Sequence, residues 1–213
     1  MTTAELFSLD VMAMARALLD FELVHAAAEG TTAGRIVEVE AYQGPHDRAA
    51  HSYGGRPTAR TQAMFGPPGR AYIYRIYGMH QCCNVVAAPT GTPHAILLRA
   101  LAPTEGLPLM AARRKLELPQ AFDPARPPRA VKLLTAGPAR LVQAMGVDMR
   151  YYGHALDTPP YFLRFRGART PKSDVACGPR INVDYAGEDA ARPWRLWLRG
   201  TPYLSVPGVE SQD

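Results

Sequence analysis

Cysteine and lysine are scarce in this sequence, and both shortages narrow the classes of protein that it can represent. There are three cysteines, Cys82, Cys83 and Cys177; two of them are adjacent and none lies in a CxxC spacing. The pattern predicts neither a disulfide framework nor a zinc site, so we expect no metal and no other cofactor. Reduced thiols favour an intracellular protein, in the cytoplasm or, for a bacterium, at the nucleoid.

Long apolar runs are missing as well. No segment approaches the roughly 18 apolar residues that a transmembrane helix needs. The start of the chain has no positively charged stretch followed by an apolar one, so it predicts no signal peptide. The GxxxxGK[ST] loop that binds nucleotide phosphates is absent, and the prolines of FGPPGR remove the backbone N–H groups that such a loop uses. Membrane, secreted and P-loop proteins are therefore disfavoured.

The length and net charge of the chain are those of a small basic globular protein. The chain has 213 residues, 47% of them hydrophobic and 20% charged, which suits one domain with a buried core. Its formal net charge is +5, and only three of the 24 basic residues are lysines. Arginine presents a planar fork of donors that matches phosphate, although a codon bias towards arginine explains the same count. The charge is compatible with a polyanionic partner and does not establish one.

Hydrophobic periodicity predicts helices and strands that do not alternate regularly. Helical spacing runs from Asp10, a candidate N-cap, to Asp20, and recurs in EGLPLMAARRKLE and GPARLVQAMG. Strand patterns occur in FELVHAAA, GRIVEVEAY, AYIYRIY, CCNVVAA, HAILLRALAP and RPWRLWLRG. Segments 43–62, 119–131 and 167–180 are rich in proline, glycine and polar residues and are predicted loops. We therefore expect one α+β domain over residues 1–213, with a curved, mainly antiparallel β-sheet flanked by helices and a protruding β-hairpin.

The stretch AYIYRIYGMH (71–80) carries three tyrosines where ordinary apolar side chains would complete a strand. Tyrosine has high β propensity, so a half-buried strand explains part of the pattern, with Tyr72 supporting it from the core side. The alternative is a nucleic-acid contact in which Tyr77 wedges into a duplex and Gly78 provides the sharp bend. The candidate phosphate contacts on this element and in the loop before it are Arg56, Arg60, Arg70 and Arg75.

Glu40 is the candidate catalytic carboxylate, where the strand GRIVEVEAY meets the long polar loop. Strict alternation places Glu40 on one face with Ile36 and Glu38, which is also the pattern of a solvated strand face. An isolated glutamate in such a pattern is more often a surface residue than a catalytic one. The aromatic and histidine residues that follow it favour the catalytic interpretation.

A metal site in the loop after Glu40 is a further alternative. His46, Asp47 and His51 are possible ligands, and a metal-dependent hydrolase would use them. Their spacing differs from HExxH, which places two imidazoles on one face of a helix. The metal hypothesis is therefore the weaker one.

Seven segments, RIVEVEAYQG, AAHSYGG, MFGPPG, YIYRIYGMHQCCNV, ILLRALAP, AGPARL and PRINVDYAGE, follow one another between about residues 35 and 206. Together they resemble the alkyladenine (3-methyladenine) DNA glycosylase family, of the monofunctional purine type. The resemblance implies an enzyme of base excision repair that flips alkylated purines out of double-stranded DNA. It would hydrolyse the N-glycosidic bond with a Glu-activated water, leave an abasic site, and act as a monomer away from membranes. A non-catalytic damaged-DNA-binding module with the same pocket is the alternative.

By this resemblance Glu40 is the general base that deprotonates the attacking water and steadies the positive charge developing on the sugar. Arg99 would help to hold that water and favour the ionised carboxylate, and the backbone carbonyl of Ile181 would supply the remaining water contact. Independently of the resemblance, no lysine lies between Arg35 and Arg99. This disfavours an amine nucleophile, which would also cut the strand.

The resemblance also assigns the base pocket, whose side chains are Tyr42, His51, Tyr74 and Asn84. The first three would sandwich the purine, and Asn84 would reject normal guanine by crowding its exocyclic amino group. Tyr77, flanked by Met79, would fill the gap that the flipped nucleotide leaves. Asn182 stands where the family often has glycine. We expect it to adopt a left-handed backbone, so that the carbonyl of Ile181 keeps its place.

Overall fold

The computed structural model describes residues 1–211 and has the predicted α+β class. The strands in this range are β1 (Phe21–Ala27), β2 (Gly30–Gln43), β3 (Ala71–Ile76), β4 (His80–Ala87), β5 (His94–Glu105), β6 (Tyr161–Phe165), β7 (Val175–Gly178) and β8 (Arg195–Leu198). The α-helices are α1 (Thr3–Phe7), α2 (Val11–Leu18), α3 (Leu107–Arg114), α4 (Arg129–Thr135) and α5 (Pro138–Met145). Within residues 1–211, none of the helices is long and apolar enough to cross a membrane.

The strands form one antiparallel sheet, in which β2 is the central element. The main path runs β3–β4–β5–β2–β1–β6. The first half of β2 pairs with β1, while its second half pairs with β8, for example Glu40 with Arg195. Strand β5 follows β2 along the other side, and β7 extends the sheet beyond β8. The end of β2 is consequently enclosed by strands on both sides.

A register shift decides which side chains of β2 reach the core. The pairing with β5 slips between Ile36 and Glu38, as in a β-bulge. Ile36 and Val37 therefore both lie in the main core, and the expectation that Ile36 shares a face with Glu38 and Glu40 is wrong. Neither glutamate has any exposed surface, so the solvated-face alternative is wrong too.

Helix α2 begins as the sequence predicts. The Asp10 carboxylate accepts hydrogen bonds from the backbone N–H groups of Met12 and Ala13, both at 2.9 Å, which is the geometry of an N-cap. The helix ends at Leu18, two residues before the predicted end at Asp20, because the chain turns there into β1. The buried side of α2 joins the main core between the sheet and the helices.

Two of the predicted loops contain regular structure, which corrects their assignment. Segment 119–131 runs into α4 at Arg129, and segment 167–180 contains β7. Strand β7 has four residues and is held by pairing with β8, as between Ala176 and Trp197. Periodicity cannot reveal so short a strand, and β6 and α1, which have five residues each, escape prediction for the same reason.

The predicted hairpin is formed by β3 and β4, with β3 at the outer end of the sheet path. Ile76 pairs with His80, and residues 77–79 make the turn. Tyr77 and Gly78 both have left-handed backbone, with φ of 49° and 73°. The bend expected at Gly78 is present, and it leaves the Tyr77 side chain 90% exposed at the tip.

Candidate active site

A cavity of about 490 Å³ lies where the ends of the central strands meet the hairpin and the segment after β7. The predicted residues that line it are Tyr42, His51, Arg60, Tyr74, Arg75, Tyr77, Asn84, Arg99 and Ile181. Residues that are far apart in the sequence therefore converge on one space. None of the lining residues, all of them in the described part of the chain, is a lysine.

Glu40 lies directly behind the wall of this cavity, held by three residues that line it. Tyr42 donates its hydroxyl to Oε2 at 2.8 Å, and Arg99 forms an ion pair with the same oxygen at 3.0 Å. The backbone N–H of Ile181 donates to Oε1 at 2.7 Å. Burial and the charge of Glu40 raise the pKa of Tyr42 well above its ordinary value, so its hydroxyl stays protonated and can donate.

The observed contact of Ile181 involves its N–H, whereas the sequence assigns a role to its carbonyl. Asn182, the next residue, has φ of 57°, so the expected left-handed backbone is present. This bend turns the chain where the Ile181 N–H meets Glu40. The segment after β7 thereby fixes one oxygen of the carboxylate.

A second buried carboxylate, Glu38, orients Arg99. Its Oε1 accepts from Arg99 Nε at 2.9 Å and from Arg195 Nε at 2.8 Å. Ser205 contributes both its hydroxyl, at 2.7 Å to Oε1, and its backbone N–H, at 2.6 Å to Oε2. With one guanidinium edge fixed by Glu38, Arg99 presents another nitrogen to Glu40. The two negative charges of Glu38 and Glu40 are thus balanced by the positive charges of two buried arginines, Arg99 and Arg195.

One wall of the cavity is Tyr42, which is backed by Arg180. The Arg180 guanidinium lies 4.7 Å from the Tyr42 ring centroid and 4.9 Å from that of Trp194. It also forms a two-bond ion pair with Asp47, with Nη2 to Oδ1 at 2.8 Å, and donates to the carbonyl of Ala41 at 3.0 Å. This fully buried arginine joins the end of β2 to the loop that follows it.

A second aromatic wall contains His51 and the tyrosines of β3. The rings of His51 and Tyr74 meet edge-on at 4.5 Å, and Tyr72 stacks against Tyr74 at 5.5 Å. His51 Nδ1 lies 2.9 Å from the Tyr72 hydroxyl, and Arg60 Nη2 lies 3.3 Å from His51 Nε2. Loss of hydration and the neighbouring charge of Arg60 lower the pKa of His51 to about 4. His51 is therefore neutral at physiological pH. Tyr72 is buried, as expected.

Asn84 is a buried polar residue in the cavity wall. Its side-chain amide donates to the carbonyl of Tyr72 at 2.9 Å, across the β3–β4 pair. This bond fixes the orientation of the amide. A purine in the cavity would therefore meet a rigid polar group at this position.

The remaining predicted residues occupy different surroundings. Met79, 75% exposed, lines a separate cleft against α5. Arg75 is exposed beside the cavity, and Arg56 is exposed in the preceding loop. Arg70 is half-buried at the base of the hairpin, where its guanidinium donates to the carbonyl of Gly153 at 3.4 Å. Because its guanidinium already makes this contact, Arg70 is the least free of the four arginines to bind a phosphate.

The loop residues proposed as metal ligands do not converge. The Asp47 carboxylate already forms an ion pair with Arg180. It also accepts hydrogen bonds from the backbone N–H groups of Gln43 and Ala49, both at 3.0 Å. His51 faces the cavity, while His46 lies in another surface cleft. Across residues 1–211 there is no grouping of three histidine, cysteine or acidic side chains suited to a metal ion.

Sequence reasoning missed several residues of the site. Arg195 and Ser205 contact it only because distant segments pair or pack, so no local pattern indicates them, whereas Arg180 directly precedes the predicted Ile181 in the string PRINVDYAGE. Tyr185, which is 73% exposed and lines the cavity, stands inside the recognised string PRINVDYAGE without having been assigned a role. Its place in that string is the signal that the sequence offered.

Comparison with known proteins identifies the class of protein that this fold and cavity belong to. A family model described as methylpurine-DNA glycosylase (MPG) matches residues 5–202. Proteins named "Putative 3-methyladenine DNA glycosylase" from Bacillus cereus (strains G9842 and B4264) are 42% identical over 205 residues, covering 92% of this chain and 94% of the relative. A Bacillus anthracis (strain CDC 684 / NRRL 3495) protein of the same name is 42% identical over 201 residues. The protein is thus a DNA glycosylase, a hydrolase of DNA repair. The chain belongs to the methylpurine-DNA glycosylase family.

Proposed function

We propose that this enzyme excises alkylated purines, 3-methyladenine among them, from double-stranded DNA by flipping the damaged nucleotide into the cavity. Water activated by Glu40 then hydrolyses the N-glycosidic bond and leaves an abasic site. One observation carries the proposal: a fully buried carboxylate, fixed by three hydrogen-bonding partners, stands behind a ring-walled cavity beside an exposed tyrosine wedge.

The chemistry at Glu40 follows from its partners. An ionised carboxylate accepts a proton from water and stabilises the positive charge that grows on the sugar as the bond breaks. Arg99 and the Ile181 N–H hold the carboxylate in one orientation, so little reorganisation is needed when the sugar arrives. The carbonyl of Ile181 supplies a further contact to the water.

Flipping costs a few kcal/mol because a base must be unstacked and unpaired. Stacking on an aromatic wall returns about 1–3 kcal/mol per base, which offsets the cost when the lesion already pairs poorly. Tyr42 forms one wall and His51 with Tyr74 forms the other. Tyr77 enters the duplex and fills the vacated space, with Met79 beside it. Asn84 excludes normal guanine by crowding its amino group.

The product is an abasic site with an uncut strand. An enzyme that cuts the strand as well uses an amine nucleophile, and no lysine is found among the cavity-lining residues. We propose that the enzyme acts as a monomer. Of the four candidate phosphate contacts, Arg56, Arg60 and Arg75 are exposed, with Arg60 also contacting His51, and Arg70 is half-buried.

The test is a duplex that carries one 3-methyladenine, assayed with enzyme in excess. Glu40→Gln preserves the shape of the side chain and removes its charge, so abasic sites should form with the wild type and be lost in the variant. Glu117→Gln removes an exposed carboxylate that does not line the cavity and serves as the matched control. A fully active Glu40→Gln enzyme would refute the assigned role. Wild-type protein that binds the lesion but releases no base would be a binding module instead.

A further inference from the structure

Both aromatic walls of the cavity carry an arginine. Arg180 lies 4.7 Å from the ring centroid of Tyr42, and Arg60 lies 5.1 Å from that of Tyr74. A cation near the face of an aromatic ring is attracted by the electron density of that ring. Any positively charged base that enters the cavity must therefore approach rings that already hold a cation.

The two arginines differ in how their charge is balanced. Arg180 forms a buried two-bond ion pair with Asp47, so the pair as a whole is neutral. Arg60 is exposed, and in residues 1–211 no acidic side chain forms an ion pair with it. Its guanidinium contacts His51 instead, through Nη2 and Nε2 at 3.3 Å. One wall is electrically balanced and the other is not.

Nothing else on the unbalanced wall offsets this charge. His51 is neutral near pH 7, because burial and Arg60 together lower the pKa of the ring to about 4. Burial raises the pKa of Tyr72 to about 12 and raises that of Tyr74 as well, so both hydroxyls are uncharged. This wall, formed by His51, Tyr72, Tyr74 and Arg60, thus carries a net charge of about +1.

We propose that Arg60 determines specificity in this pocket by disfavouring positively charged purines relative to neutral ones. The inference rests on the proposed function, because it concerns the base that occupies the same cavity. Its consequence is an enzyme whose preference for cationic lesions such as 3-methyladenine is held down, so that neutral lesions such as hypoxanthine compete better. A base keeps part of its positive charge until the glycosidic bond has broken, so the repulsion acts on the transition state too.

The size of the effect follows from distance. A base stacked at a contact distance of about 3.5 Å on the face of Tyr74 that Arg60 leaves free would stand roughly 8 Å from the guanidinium. A unit charge at that distance changes the binding of another by roughly twofold in water and by roughly thirtyfold in a protein-like dielectric. Because Arg60 is exposed and screened, we expect about fivefold.

The experiment is an internal competition between two duplexes, one carrying 3-methyladenine and the other hypoxanthine, in the same tube. The ratio of the two products gives the ratio of kcat/KM values, which measures discrimination directly. Arg60→Gln should raise the ratio in favour of 3-methyladenine by about fivefold. Arg60→Lys keeps the charge and should leave the ratio within about twofold of the wild type. Thermal denaturation of each variant checks that the exposed substitution leaves the fold intact.

The matched control is Arg56→Gln, which removes the same charge from the same loop without a contact to either wall. It should lower excision of both lesions together and leave the ratio unchanged. If Arg60→Gln lowers both activities equally, Arg60 binds phosphate and the proposal is overturned. It is also overturned if Arg56→Gln shifts the ratio as much. Failure of the wild type to release either base would instead overturn the proposed function, so the two failures are distinguishable.

Discussion

Glu38→Gln tests whether the buried charges of the central strand act as one unit. The substitution keeps the volume of the side chain and removes one negative charge from a site without exposed surface. Arg99 and Arg195 each lose a charged acceptor, at 2.9 and 2.8 Å, and Glu40, which pairs with Arg99, is left as the one carboxylate of this buried assembly. Removing one partner of a buried ion pair typically costs about 3–5 kcal/mol, because the other charge stays uncompensated.

Thermal and urea denaturation measure this loss. For a chain of this size, 1 kcal/mol corresponds to about 2–4 °C in Tm, so Glu38→Gln should lower the Tm by about 10 °C. The graded control is Ser205→Ala, which removes one uncharged donor from Glu38 and one uncharged acceptor from Arg99 and should cost less, about 1–2 kcal/mol. Glu117→Gln, at an exposed carboxylate that forms no ion pair within residues 1–211, should leave the Tm where it is. A loss below about 1 kcal/mol for Glu38→Gln would mean that the arginines find other partners and that the network is not coupled.

Three further outcomes are expected. Tyr77→Ala should reduce excision from duplex DNA by roughly tenfold, since about 1–3 kcal/mol of stacking is lost; an equal reduction on single-stranded DNA would contradict the wedge. Asn84→Ala should permit release of normal guanine, measured as free base, and should cost about 1 kcal/mol of stability because the bond to Tyr72 is lost. In an NMR titration, His51 should take up its proton near pH 4, not near its ordinary 6.5. Because the unfolded chain is protonated at the higher value, the contribution of His51 to stability is present above pH 6.5 and falls as the pH drops towards 4; a midpoint near 6.5 would contradict the contact with Arg60.

Local chemistry made part of the fold and site predictable. The cap at Asp10, the bend at Gly78 and the left-handed backbone at Asn182 each depend on the properties of a single residue type. The long strands were visible because their apolar positions repeat over many residues. The positions of Glu40 and Tyr77, at the end of one strand and the tip of another, follow from the same patterns.

The rest depends on contacts that no local pattern encodes. Arg195 reaches Glu38 because β8 pairs with β2 across more than 150 residues of sequence, and Arg180 reaches Tyr42 because the loop after β7 folds over the end of β2. The slip beside Ile36 depends on the partner strand, so alternation along β2 alone gives the wrong face. Short elements such as β7 exist only through their pairing.

The arrangement of charge around the cavity separates two tasks that one aromatic pocket must perform. Behind the cavity wall, Glu38 and Glu40 are balanced by Arg99 and Arg195, so the buried assembly carries no net charge. At the wall, Arg60 adds a charge that nothing balances, and it acts on the base. In the proposed reaction, the electrons of the broken bond pass to the base and positive charge appears on the sugar, so positive charge moves away from Arg60 and towards Glu40. An electric field in this direction lowers the barrier to bond breaking for any bound purine. Arg60 at the same time limits how strongly a cationic purine is preferred when the base first binds.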